Sequence, residues 1–171
     1  WTEKLDNGME VMGIEHTEVP LVNFCLVIKG GHWLDPEGKS GTANLLAGLM
    51  MEGTKNRTPA ELEETLGVLG STIEFVAGTE EILVKGNTLS GNFEETMELF
   101  TEMILEPRWD AGEFERLRVE QQTGLKDAES NPVAIAGTAL VRLLYGKDNI
   151  LGTAVNKRLV GSLGVFEYNQ D

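Results

Sequence analysis

Residues 9–15 alternate loosely between apolar and polar positions. They lead into an apolar run at 21–28, Leu-Val-Asn-Phe-Cys-Leu-Val-Ile, broken only by Asn23. Both stretches read as strands, and the second is expected at the centre of a sheet. Before them, residues 2–8 form a lead-in whose Asp6-Asn7-Gly8 is a strong hairpin-type turn. Gly30-Gly31 ends the second strand. Asp35-Pro36-Glu37-Gly38 is a turn in which Pro presets φ and Gly accepts a positive one. Residues 42–51 are apolar or small at nearly every position and predict a helix closed by Gly53.

Thr58-Pro59-Ala60-Glu61 is a helix start with a mechanism: Thr58 caps, Pro59 takes the first helical position and Glu61 completes a capping box. That helix runs to Leu69 and Gly70 stops it. Residues 71–77 and 81–86 predict an antiparallel pair turned at Gly78-Thr79. In 90–105, Phe93, Met97, Phe100 and Ile104 recur at i, i+4, i+7 and i+11 and predict a buried stripe. Glu94, Glu95, Glu98 and Glu102 cover the other side, a solvated acidic face. A second long helix is predicted over 110–130 with Phe114, Leu117, Leu125 and Ala128 inward. Asn131-Pro132 breaks it and Pro132 restarts a helix to Leu144. Residues 145–158 read as loop and 162–171 as a further helix. The order β-β-α-α-β-β-α-α-α is an α+β fold, helices packed on a largely antiparallel sheet. With no linker or repeat, 1–171 reads as one unit.

Composition narrows the function classes. A 41% hydrophobic and 25% charged chain of 171 residues is ordinary for a globular protein with one good core. No apolar run approaches the roughly 18 residues of a membrane span. The net charge of −14 argues against nucleic acid or an anionic membrane as partner and suits a basic peptide or surface. The single cysteine, Cys25, excludes an internal disulfide; between Phe24 and Leu26 it reads as a small buried hydrophobe. The start at Trp1 reads as that of an excised piece, so location is not inferred from a missing leader.

Two stretches carry more. Gly38-Lys39-Ser40-Gly41-Thr42-Ala43-Asn44-Leu45-Leu46-Ala47-Gly48-Leu49-Met50-Met51-Glu52-Gly53-Thr54 resembles the signature helix of the pitrilysin/insulinase-type zinc peptidases, family M16. That family reads Gly-Thr-Ala-His-x-x-Glu-His and ends in Gly-Thr. Glu113-Phe114-Glu115-Arg116-Leu117-Arg118, with the Asn131-Pro132 break, is similar to the later helix that brings the third metal ligand. Leu5-Asp6-Asn7-Gly8-Met9, Pro107 with Asp110, and Tyr145-Gly146 are smaller matches. The resemblance implies a LuxS/MPP-like metallohydrolase-type unit, truncated within its sheet.

In the family, two His at i and i+4 hold zinc, the Glu between them takes the proton of the metal-bound water, and a later carboxylate completes the set. Carried over, the first His falls on Asn44, the Glu on Ala47 and the second His on Gly48. The third ligand falls near Thr123 or Gly124, with Glu120 the nearest acid. No zinc ligand or base remains, so no catalytic residue, metal or cofactor is expected in this chain. Gly48 reads as a site freed from constraint. His16 and His32 match no ligand spacing. Peptides in active relatives add to a sheet edge, which falls here on Ile73, Glu74 and Phe75.

The resemblance implies an inactive half or subunit that closes a peptide chamber beside a homologous metal-bearing unit, in a bacterial envelope or periplasmic setting. The residues 42–51 helix would need cover, from that unit or by self-association. Two alternatives stand: a divergent active peptidase using His16 or His32, and a structural assembly subunit.

Overall fold

The computed structural model describes residues 1–36, 39–128, 130–146 and 149. The expectations for 147–148 and 150–171, loop and final helix, lie outside them. Among these residues, five strands and five α-helices follow the α+β order. Strands β1 (Thr2–Lys4) and β2 (Glu10–Met12) form a hairpin about the Asp6-Asn7-Gly8 turn, so the lead-in is itself a strand. Strands β3 (Leu21–Lys29), β4 (Thr72–Ala77) and β5 (Glu81–Leu89) form an antiparallel sheet in the order β3-β5-β4. The apolar run of β3 predicts a central strand, yet the centre belongs to β5. An apolar run does not report the number of hydrogen-bonded neighbours, and in β3 every residue is exposed or half-buried.

One face of this sheet carries the core. Cross-strand rows Phe24–Gly86–Ile73 and Leu26–Val84–Phe75 lie under helices α2 (Pro59–Leu69) and α3 (Phe93–Leu105). Leu62, Ile73, Val84, Leu99, Phe100 and Met103 form its buried centre. Phe24 meets Phe100 edge-on at 5.1 Å between ring centres. Each such side chain contributes about 1.5–3 kcal/mol on burial. The other face is open: Asn23, Cys25, Lys85, Asn87, Thr72 and Glu74 are exposed there. Cys25 is therefore exposed rather than a buried hydrophobe. The two-residue period of β3 decides this, since Phe24 and Leu26 take the inward positions.

The capping box at Thr58 forms as read, with the Glu61 N–H donating to the Thr58 hydroxyl and the Thr58 N–H to the Glu61 carboxylate. The buried side of α3 is turned from the predicted stripe: Thr96, Leu99, Phe100 and Met103 are buried while Phe93 is exposed. Thr96 can enter the core because its hydroxyl is satisfied, 2.8 Å from Ser71 Oγ, 2.9 Å from Thr88 Oγ1 and donating to the Asn92 carbonyl at 2.7 Å.

Helix α1 (Thr42–Leu49) packs on β4 and on helix α4 (Ala111–Ala128). It was expected to lack cover, but Ala43, Leu45, Ala47 and Leu49 are buried and only its Asn44 and Leu46 are exposed. Helix α5 (Pro132–Tyr145) leaves apolar surface open at Val133, Leu140, Leu143 and Leu144, as do single residues elsewhere such as Ile14 and Val68. Asn131 caps α5, accepting from the Val133 and Ala134 N–H groups.

Candidate functional site

The candidate site is the α1–α4 junction. Its N-terminal end is held from upstream: the Asp35 carboxylate accepts the Gly41 N–H at 2.7 Å and the Ala43 N–H at 2.8 Å. These are N–H groups a helix start leaves without intrahelical partners. His32 Nδ1 lies 3.4 Å from the same carboxylate. Asp35 thus serves as the helix cap, and His32 serves Asp35. His16 is exposed in the connection before β3. Among the described residues no group of three His, Cys, Asp or Glu is placed to hold a metal ion.

The three motif positions differ in surroundings. Asn44 is exposed. Ala47 is buried, 4% exposed, where a carboxylate would have to be desolvated. Gly48 is half-buried, and a Cβ built there would stand 3.3 Å from Leu117 Cδ1 and 3.5 Å from Cδ2. Gly48 is therefore packed against, not free. Thr123 and Gly124 are both exposed, and a Cβ on Gly124 meets nothing within 4 Å, so neither position is filled by packing. The face of α4 toward α1 carries Phe114, Leu117 and Leu125, which pack around Leu45. It also carries Gln121, whose amide nitrogen lies 2.6 Å from the Cβ position of Gly41. The signal was present in the sequence, because 114, 117, 121, 125 and 128 make one helical stripe with Gln121 its polar member.

These residues do not fit a zinc ion. Asn44 offers only a neutral amide, Ala47 and Gly48 offer no donor, and Gln121 is an amide rather than a carboxylate. The Gln121 Oε1 is buried without a hydrogen-bond partner among the described residues. Glu120, the nearest acid, is exposed and accepts a hydrogen bond from Arg116 at 3.1 Å.

The Gly53-Thr54 pair that closes the motif is scaffold. The helix ends at Leu49, before the Gly53 cap the sequence predicts, and Gly53 sits in the following turn at φ 97°. Thr54 is fully buried. Its hydroxyl donates to Glu102 Oε1 at 2.6 Å and accepts the Arg57 N–H at 3.0 Å. Glu102 also pairs with Arg57 and accepts from Asn56 at 3.2 Å. One member of the predicted solvated acidic face is thus bound to the loop after α1. Burial opposes ionisation of Glu102, but the bonds from Thr54, Asn56 and Arg57 outweigh it and hold its carboxyl below the usual range. A lowered folded value gives stability that is complete above the ordinary value of 4.5 and is lost as pH falls through the folded value. Glu102→Gln is expected to cost about 1–3 kcal/mol at neutral pH, with the gap to the unsubstituted chain closing below the carboxylate range. Urea unfolding across pH measures it, and a gap independent of pH would contradict the assignment.

Strand β4 is the other place singled out. It pairs with β5 alone among the described residues, so one edge of its main chain faces outward. Ile73 points into the core, Phe75 is half-buried beside it, and Glu74 stands on the open sheet face. A pairing peptide would meet this strand through its backbone, not through Ile73.

The model of the insulinase family, peptidase family M16, matches residues 11–155. The chain is 24% identical over 172 residues to an uncharacterized zinc protease of Rickettsia bellii, covering 98% of this chain and 40% of that protein. It is 24% identical over 166 residues to the mitochondrial-processing peptidase subunit beta of Rattus norvegicus, covering 91% and 34%. The chain thus spans about two-fifths or less of the curated relatives' length. The crystal structure of a peptidase M16 inactive domain from Pseudomonas fluorescens superposes with a TM-score of 0.82 at 21% identity, covering 89% of this chain and 37% of that one.

Proposed function

Because this chain belongs to the insulinase family of peptidases, family M16, we propose that it is a non-catalytic unit of a zinc peptidase, closing the peptide chamber beside a homologous metal-bearing unit and helping to hold the peptide. One observation carries the reading. The motif keeps its scaffold, Gly41-Thr42-Ala43 before and Gly53-Thr54 after, and replaces both ligands and the base with Asn44, Gly48 and Ala47. A peptide would pair with the outward edge of β4 through main-chain hydrogen bonds, which do not depend on side-chain identity. The net charge of −14 favours a basic peptide or a partner with a basic inner wall. The exposed apolar residues of α5 would give the partner unit a surface to cover. The proposed setting is the bacterial envelope.

The test uses the purified chain. After zinc soaking and desalting, metal analysis is expected to find no stoichiometric zinc, and light scattering to find a complex when a metal-bearing homologous unit is added. One tightly held zinc per chain would overturn the non-catalytic reading. A chain that stays monomeric at high concentration and ignores the metal-bearing unit would overturn the partnership.

A further inference from the structure

Four positions of α1 and its flanks, 41, 45, 48 and 52, follow i, i+4, i+7 and i+11 and so share one helical face. Each meets α4. Gly41 abuts Gln121, Leu45 sits among Phe114, Leu117 and Leu125, Gly48 abuts Leu117, and Glu52 pairs with Arg116. The contact is tightest at the glycines, where any side chain would press on α4 within 3.3 Å or less.

We infer that this junction, the counterpart of the family's metal site, has become a packing lock in which Leu117 fills the space opposite Gly48. Glycine is the poorest helix former after proline, so a mid-helix glycine with nothing beside it would gain stability on becoming alanine. Here the added methyl meets Leu117 at less than ordinary van der Waals separation, so the helical gain is opposed by crowding. Gly48 is then the notch that lets α4 approach, and a ligand-sized side chain at 48 would have to displace Leu117. The inference takes its meaning from the non-catalytic reading, but its test reads stability alone, with no metal or partner present.

The experiment is a double-mutant cycle on thermal unfolding with Gly48→Ala, Leu117→Ala and the pair. In the unsubstituted background Gly48→Ala is expected to leave the Tm unchanged or to lower it. In the Leu117→Ala background the same change is expected to raise the Tm by about 2–4 °C. If Leu117→Ala does not fold, Leu117→Val gives the same comparison with a smaller cavity. A rise of equal size in both backgrounds would show that Leu117 does not constrain Gly48 and would overturn the lock. Zinc analysis and light scattering on the unsubstituted chain bear separately on the non-catalytic reading.

Discussion

Gly53→Ala is expected to destabilise the chain by about 2–5 kcal/mol, combining the cost of a positive φ for an L-residue with that of a steric overlap. Gly53 has φ 97°, and an alanine methyl there would stand 2.5 Å from the Arg57 carbonyl oxygen and 3.1 Å from the Thr58 carbonyl carbon. These are backbone atoms and cannot rotate away. They belong to a loop that is itself tied down. Thr54 N–H donates to the Arg57 carbonyl at 2.9 Å, Arg108 N–H donates to the Gly53 carbonyl at 3.3 Å, and Lys55 N–H donates to Glu106 at 2.8 Å. Relief by movement would break the Thr54–Glu102–Arg57 cluster that fixes the end of α1 to α3. Urea unfolding followed by far-ultraviolet circular dichroism measures the loss. Gly67→Ala in α2 is the control, since a methyl there meets nothing within 4 Å and gains helix propensity. Equal behaviour of the two variants would contradict the structural role given to the Gly-Thr pair.

The triple variant Asn44→His, Ala47→Glu and Gly48→His is expected to show no peptide cleavage, to hold no zinc and to lose several kcal/mol of stability. Each position contributes for its own reason. Residue 44 is exposed and would accept a histidine. Residue 47 is 4% exposed, so a glutamate there is desolvated, and a buried polar group without partners costs about 1–3 kcal/mol by mutational measure. Residue 48 faces Leu117, and an imidazole needs far more room than the 3.3 Å clearance of a methyl. The third ligand is also missing: the α4 positions turned toward α1 are Leu117, Gln121 and Leu125, and none is a carboxylate. Metal analysis, thermal unfolding and a peptide hydrolysis assay on the one preparation give the three readouts. Robust cleavage would show that another carboxylate completes the site and that the junction is not closed by packing.

The glutamine at 121 shows how a local pattern is read too coarsely. Phe114, Leu117 and Leu125 were legible as an inward stripe because they are apolar at helical spacing. Gln121 lies on the same stripe but is polar, so a pattern of apolar positions passes over it while the helix sets it beside them. The rotated stripe of α3 has the same origin, since Thr96 is polar and buried through partners 25 and 8 residues away in sequence, Ser71 and Thr88.

What the sequence determined by itself was whatever rests on neighbours in the chain. The Thr58 capping box, the helix starts at Pro59 and Pro132, the β4–β5 hairpin and the α+β order all depend on contacts within a few residues, and all are present. The resemblance to the family motif is equally read from the sequence, and it sets Asn44, Ala47 and Gly48 at the positions of the ligands and base. Only the tertiary structure decided that β5 and not β3 is central, that Cys25 faces outward, that α1 is covered and α5 open, and that Leu117 fills the space beside Gly48. Each of these turns on which distant element arrives at a given face. A residue's own chemistry sets how well it tolerates burial, whereas the packing of elements far apart in the chain sets whether it is buried and against what.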